Sequence, residues 1–213
     1  NDLMSAGVHR LWKNAMVDRL APRAGEHFLD VAGGTGDIAE RIHARTGGTG
    51  PSIVVCDINT AMLREGRDRA VDRGLLTGFV WACGNAEALP FPDMSFDAYT
   101  IAFGLRNVTH IDQALAEARR VLKPGGRFLC LEFSTVVVPV LDTLYDTYSF
   151  SVLPRLGALV AGDRAAYQYL AESIRRFPAQ DKLIAMMKTA GFANTSYRNL
   201  SAGIAALHVG WRI

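Results

Sequence analysis

The stretch Phe28-Leu29-Asp30-Val31-Ala32-Gly33-Gly34-Thr35-Gly36-Asp37-Ile38-Ala39 limits what this chain can fold into more than any other. An apolar run of strand type stops at a glycine cluster. Ile38 and Ile42, interleaved with Glu40, Arg41 and Arg45, then continue with the spacing of a helix. Glycine lets the backbone turn sharply and admits a ligand where a Cβ would block it, and a helix N-terminus offers free N–H groups. Three glycines within four residues exceed what a plain strand-to-helix turn needs, so the unit is built to hold a ligand of nucleotide type.

Which ligand is left open by the loop alone. Gly34-x-Gly36-x-x-Ala39 fits a loose dinucleotide fingerprint, while Asp30-x-Ala32-x-Gly34-x-Gly36 fits the glycine loop of S-adenosylmethionine-dependent methyltransferases. The 213 residues can bury one large core, so a single domain over 1–213 is expected. Basic and acidic residues nearly balance, 23 against 21, which gives no general argument for nucleic acid. Cys56, Cys83 and Cys130 each lie in an apolar, strand-like run and read as buried thiols of a reducing compartment. Their spacing supplies neither a metal knuckle nor a disulfide framework. No apolar run reaches the roughly 18 residues needed to span a bilayer, and no signal peptide opens the chain. It begins at Asn1 without an initiator methionine, which implies an upstream segment that was trimmed or not covered.

Apolar positions from Leu3 to Leu20 recur at helical spacing and predict helix over the sheet, with His9 and Arg10 on its solvated side. Ile53-Val54-Val55-Cys56-Asp57 predicts a second buried parallel strand ending in an acid. Asp57 lies 21 residues beyond Gly36, where a carboxylate can accept from both ribose hydroxyls; Asn59 and Thr60 are better placed to cap the helix over 60–73. A third strand, 79–83, runs into Gly84-Asn85-Ala86, and a small polar residue there can meet an adenine edge while an apolar neighbour covers its face. A fourth strand, 98–102, opens onto Phe103-Gly104-Leu105-Arg106-Asn107, a loop that should face the reacting centre. A helix over 111–122, a Lys123-Pro124-Gly125-Gly126 turn and a fifth strand at 127–133 complete a doubly wound α/β domain. Residues 136–177 predict a helical insertion, either additional core or a lid, in which Tyr145 and Tyr148 stand beside the ligand edge. Helix over 181–190 and a strand pair at 194–200 and 204–210 close the chain.

Taken together, these segments resemble class I methyltransferases, and within them the ubiquinone/menaquinone C-methyltransferase family, over nearly the whole chain. The glycine loop and Leu122-Lys123-Pro124-Gly125-Gly126 are similar to methyltransferases in general. Phe103-Gly104-Leu105-Arg106-Asn107-Val108-Thr109, the block from Asp2 to Lys13 and Tyr169-Leu170-Ala171-Glu172-Ser173-Ile174 resemble this family in particular. The resemblance implies a mostly parallel seven-stranded sheet and methyl transfer from S-adenosylmethionine to a ring carbon of a polyprenylated benzoquinol, or of demethylmenaquinol. By the same resemblance Gly33 and Thr35 belong at the methionine end of the cofactor, Asp57 on the ribose, Asn85 and Ala86 at the adenine, and Ala102 near the sulfonium. Some relatives carry serine in place of Ala102, and relatives extend upstream with a tyrosine-containing segment that helps cap the site.

Carbon methylation requires a quinol made nucleophilic by loss of a hydroxyl proton, held close and shielded from water. Arg106 keeps its proton in proteins, so its expected part is to stabilise the phenolate or orient a water, with Asn107 positioning the same group; a salt bridge and a turn cap are the plainer alternative. His9, His110 and His208 are rival bases by pKa alone. Tyr145 and Tyr148 would line the quinol pocket. Expected partners are a lipophilic quinol, other quinone-biosynthesis enzymes, a second copy of the chain, and a membrane surface touched peripherally from the cytoplasm, or from the mitochondrial matrix in a eukaryote. The rival readings are a nicotinamide-dependent oxidoreductase, against which stands the absence of a Tyr-x-x-x-Lys pair, and a non-catalytic scaffold of a quinone-synthesis complex.

Overall fold

The computed structural model describes residues 8–47, 52–134 and 164–213. Tyr145, Tyr148 and most of the 136–177 insertion lie outside the described residues. The elements run α1 (Val8–Leu20), β1 (His27–Val31), α2 (Asp37–Arg45), β2 (Ser52–Asp57), α3 (Thr60–Asp72), β3 (Phe79–Cys83), β4 (Phe96–Ala102), a 3₁₀ turn (Leu105–Asn107), α4 (Ile111–Val121) and β5 (Leu122–Phe133). After the undescribed segment come α5 (Arg164–Arg176), α6 (Gln180–Thr189), β6 (Ala193–Leu200), a second 3₁₀ turn (Ser201–Gly203) and β7 (Ala205–Trp211).

The seven strands form one sheet in the order β3-β2-β1-β4-β5-β7-β6. Neighbours from β3 to β5 pair in parallel, and β7 alone runs against the strands on either side of it. Strands buried on both faces need apolar residues in both alternating sets, and these have them. Phe28, Ile53, Val55, Ala98, Leu129 and Leu131 pack under Trp12, Met16, Ile38, Ile42 and Leu63 of the first three helices. Leu29, Val54, Tyr99, Ile101, Phe128 and Cys130 pack on the other face under Leu115 and Ala118 of α4 and Leu183 and Met187 of α6.

Three expectations change. The Lys123-Pro124-Gly125-Gly126 segment is not a free turn but the first part of β5, bent by a register shift, because the chain's last residues hold it. The Gly125 N–H donates to the Arg212 carbonyl (2.6 Å), the Arg212 N–H donates to that of Gly126 (2.9 Å), and the Arg212 guanidinium bonds the carbonyls of Arg119, Arg120 and Leu122 at the end of α4. Cys83 is exposed rather than buried, since β3 is the sheet's edge and only its inner neighbour covers it. His9 is buried on α1 instead of facing solvent.

Phe128 is fully buried, with ring contacts to Tyr99 at 5.3 Å and Phe192 at 5.0 Å. Phe128→Ala is expected to lower unfolding free energy by about 3–5 kcal/mol in urea titrations; a loss below about 1 kcal/mol would mean that the α4/α6 face of the sheet is not a tightly packed core around this ring.

Candidate functional site

Strand order reverses between β1 and β4, since β1 continues outward through β2 and β4 outward through β5. The backbone shows how the gap opens. Beyond β1 the Gly33 N–H donates to the Cys56 carbonyl on β2 (3.2 Å), and beyond β4 the Phe103 N–H donates to the Leu131 carbonyl on β5 (2.8 Å). The two chains therefore leave in opposite directions, each through a residue of positive φ, Ala32 (51°) and Phe103 (57°). Such non-glycine geometry costs roughly 1–2 kcal/mol per residue and persists where surrounding structure imposes it. Between them lies a cleft of about 470 Å³, at the place where open α/β sheets bind ligands.

Eight of the ten residues singled out from the sequence line this one cleft: Gly33, Thr35, Asp57, Asn85, Ala86, Ala102, Arg106 and Asn107. The other two, Tyr145 and Tyr148, lie outside the described residues. The glycines of the loop divide their work. Gly34, at φ +55°, faces the cleft, where an added Cβ would stand 3.3 Å from the Met62 methyl. Gly36, at φ +82°, begins α2 and is crowded instead by the Trp81 ring, 2.7 Å from where its Cβ would be. The third glycine thus serves packing, so the excess attributed to ligand binding was partly a demand of the core.

Asp57 ends β2 with its carboxylate turned back to the loop, accepting from the Gly34 N–H (2.9 Å) and the Asn59 N–H (2.8 Å). Asn59 itself caps α3, its side chain accepting from the N–H groups of Ala61 and Met62. Carboxylate oxygens have lone pairs beyond those two bonds, so Asp57 can still accept from a ligand. Asp30, one strand over, is 1% exposed; its Oδ1 accepts from the Thr100 hydroxyl (2.8 Å), and its Oδ2 has no partner. Burial pushes its carboxyl up to about 7 against the pull of the Thr100 bond.

The wall formed by 84–92 is latched from α4. Glu87 accepts through Oε1 from the N–H groups of Thr109 and His110, and its Oε2 stands 2.9 Å from His110 Nδ1. Glu117 accepts from the Leu89 N–H (2.7 Å), while Arg120 bonds Glu117, Asp93 and the carbonyls of Leu89 and Phe91. These bonds hold Asn85 and buried Ala86 in place at the cleft.

Opposite that wall, the 3₁₀ turn presents Arg106 and Asn107. The Arg106 Nη1 donates to Glu132 Oε1 (2.7 Å) and to the Phe103 carbonyl, and its guanidinium lies over the Phe133 ring at 5.4 Å. Asn107 Oδ1 accepts from the Tyr169 hydroxyl of α5 (3.2 Å). The salt bridge set against a functional part for Arg106 is thus present, and so is access to the cleft. Glu132 is fully buried; burial raises its carboxyl, and the Arg106 charge opposes that rise.

Of the rival bases, His208 points away from the cleft into the α6 side of the sheet, where burial lowers it to about 4. His110 serves the Glu87 latch. Sequence reasoning passed over Lys13, which reaches from α1 to Asp37 at 2.6 Å beside the glycine loop. Burial pushes the Asp37 carboxyl up, but Lys13 and Arg41 outweigh it and hold it below the usual range. Glu132 was also passed over, although a lone acid in the otherwise apolar Leu129-Cys130-Leu131-Glu132-Phe133 was a legible sign.

The sheet order with its single reversed strand and the cleft at the β1/β4 switch define the fold of the class I α/β methyltransferases. Solved structures share the architecture. The YcgJ protein from Bacillus subtilis superposes with TM-score 0.68 at 20% identity, covering 96% of this chain and 99% of that one. A SAM-dependent methyltransferase from Aquifex aeolicus gives 0.67 at 14% identity, with 94% and 89% covered. The sequence places the chain more narrowly. The model of the ubiE/COQ5 methyltransferase family matches residues 1–212. The ubiquinone/menaquinone biosynthesis C-methyltransferase UbiE of Brucella canis is 59% identical over 215 aligned residues, spanning all of this chain and 80% of that protein. The protein of the same name from Paracoccus denitrificans is 59% identical over 213, spanning all of this chain and 84% of its own length. This chain belongs to the ubiE/COQ5 methyltransferase family.

From about pH 4 to pH 7, folded Asp30 holds its proton more tightly than the unfolded chain does, so its contribution to stability falls as pH rises through that window and is level above it. Asp30→Asn removes this titration. Between about pH 5 and pH 8, wild-type stability relative to Asp30→Asn is expected to fall by roughly 2–3 kcal/mol in urea unfolding. A difference independent of pH would show that Asp30 folds in its ionised form.

Proposed function

We propose that the protein transfers a methyl group from S-adenosylmethionine to a ring carbon of a polyprenylated benzoquinol in ubiquinone biosynthesis, and that demethylmenaquinol serves as a further acceptor. The observation that carries the reading is a single cleft with a carboxylate and a glycine loop at one end and a held guanidinium at the other, in a chain whose relatives carry the C-methyltransferase name.

The residues present fit the cofactor. Gly34 leaves room where a Cβ would intrude, Asp57 keeps acceptor capacity for ribose hydroxyls, and the unpartnered Asp30 Oδ2 lies behind the loop. Gly33 and Thr35 would hold the methionine end, Asn85 and Ala86 the adenine, and the Ala102 backbone the wall near the sulfonium. Alanine at 102 offers no hydroxyl there, so only its backbone is available. When bound, S-adenosylmethionine supplies an activated methyl group on a sulfonium.

The protein's own task is to make the quinol a carbon nucleophile. Arg106, permanently charged, stabilises the phenolate formed when a quinol hydroxyl loses its proton, or orients the water that takes it. Asn107 positions the same oxygen, its own amide held by Tyr169. No helix among the described residues is long and apolar enough to cross a membrane. We take a quinol with a prenyl tail to be met by peripheral contact at the inner membrane, from the cytoplasm or the mitochondrial matrix, by a chain that pairs with itself and with other quinone-synthesis enzymes. Nucleic acid has no part in this reading, and Tyr145 and Tyr148 are assigned to the quinol pocket.

Asp57→Ala is expected to weaken S-adenosylmethionine binding at least about tenfold in calorimetry, by the loss of charged-acceptor bonds. Arg106→Ala should leave that affinity within about twofold and lower turnover about 10²-fold or more with either quinol in detergent. Equal loss of cofactor affinity in both variants would refute the division of roles, and a wild-type chain that binds the cofactor but methylates neither quinol would refute the reaction.

A further inference from the structure

We infer that Glu132 is a positioning residue for the reaction: it fixes the plane and reach of the Arg106 guanidinium, so that turnover depends on a buried carboxylate that lines no part of the cleft. This inference rests on the reading of Arg106 given under the proposed function. Glu132 stands on β5, opposite Ala206 of β7, and is 0% exposed. Its two oxygens make three bonds to the turn and to its own strand. Oε1 accepts from Arg106 Nη1 (2.7 Å) and from the Phe133 N–H (2.9 Å), and Oε2 accepts from the Arg106 N–H (3.2 Å).

One carboxylate therefore grips Arg106 at both ends, backbone and guanidinium. The same Nη1 also donates to the carbonyl of Phe103, the residue of left-handed backbone through which the chain leaves β1 while still bonded to β5. The Phe133 ring lies against the guanidinium and fixes which way its plane faces. Nη1 is thus engaged on the inward side. Nε has no partner, and among the described residues none bonds Nη2. What remains of the fork is unspent, on a side chain that lines the cleft.

A purely structural part for the pair is a weak account. Ion pairs taken out of water gain little over apolar side chains of the same volume, and the positions just before Glu132 on β5 are apolar already. The buried, unpaired Nε adds to that cost, whereas a guanidinium held with its Nη2 uncommitted is useful if an oxyanion is to meet it. Rigid support of this kind decides rates, because displacement of a reacting group by about 1 Å can cost 10²-fold.

Glu132→Gln keeps the shape and one acceptor but removes the charge. It is expected to lower kcat at least about tenfold, leave the calorimetric affinity for S-adenosylmethionine within about twofold, and add no further loss in the Arg106→Ala background. Wild-type kcat in Glu132→Gln, or losses that multiply in the double variant, would overturn the inference. Because a buried-charge variant can fail to fold, the wild-type chain gives a second measurement. Nitrogen-detected NMR of the Arg106 guanidinium, assigned by its disappearance in Arg106→Lys, should show hindered rotation, and a freely rotating group would overturn the inference equally. A wild-type protein that methylates no quinol refutes the functional reading, while the rotation measurement decides the placement of Arg106 independently.

Discussion

The hydrogen bond from Thr100 to Asp30 ties β4 to β1 one residue before their last paired position, and the cleft opens just past the point where that pairing ends. Past Val31 and Ile101 each strand gives its next N–H to a different neighbour, β2 on one side and β5 on the other. The acid in this bond is an expensive choice, buried enough to hold its proton near neutrality. Two threonines would join the strands more cheaply. A carboxyl with one oxygen committed and one unpartnered instead leaves an oxygen behind the glycine loop that donates when protonated and accepts when ionised, in contact range of any Cβ placed on Gly33.

Charge around the cleft is arranged so that no group stands alone. Asp57 is engaged with two backbone N–H groups, Glu87 with two more and a histidine, Asp37 with Lys13 and Arg41, and Glu132 with Arg106. Apart from Asp57 with Asn59 and Asp37 with Arg41, these contacts join segments that are remote in sequence. The walls are thereby set before a ligand arrives, and little ordering remains to oppose binding.

Most of this could be read from the chain because its signals are local. A glycine cluster after an apolar run, an acid at the end of the next strand, and Asn85-Ala86 after the third all depend on residues near each other in sequence, and all fell on the cleft. What escaped is non-local. Nothing near Gly36 announces Trp81, 45 residues on, yet that ring is the reason a side chain cannot stand there. Lys123-Pro124-Gly125-Gly126 has the composition of a turn, and only pairing with Arg212 makes it strand. Cys83 looked like its two fellows because strand position within a sheet is not written in the strand. His9 and Glu132 show the same limit from the polar side, since whether a charged or titratable residue is buried depends on what the rest of the chain lays over it.

The reversal of β7 has a practical result. Running against its neighbours, it brings Trp211 beside Arg127 and Ala193, at the end of the sheet where the parallel strands begin. The cleft opens at the end where those strands finish. A fluorophore, affinity handle or surface linker joined after Ile213 therefore leaves from the far side of the molecule, and an immobilised protein would present its ligand mouth outward to the solution.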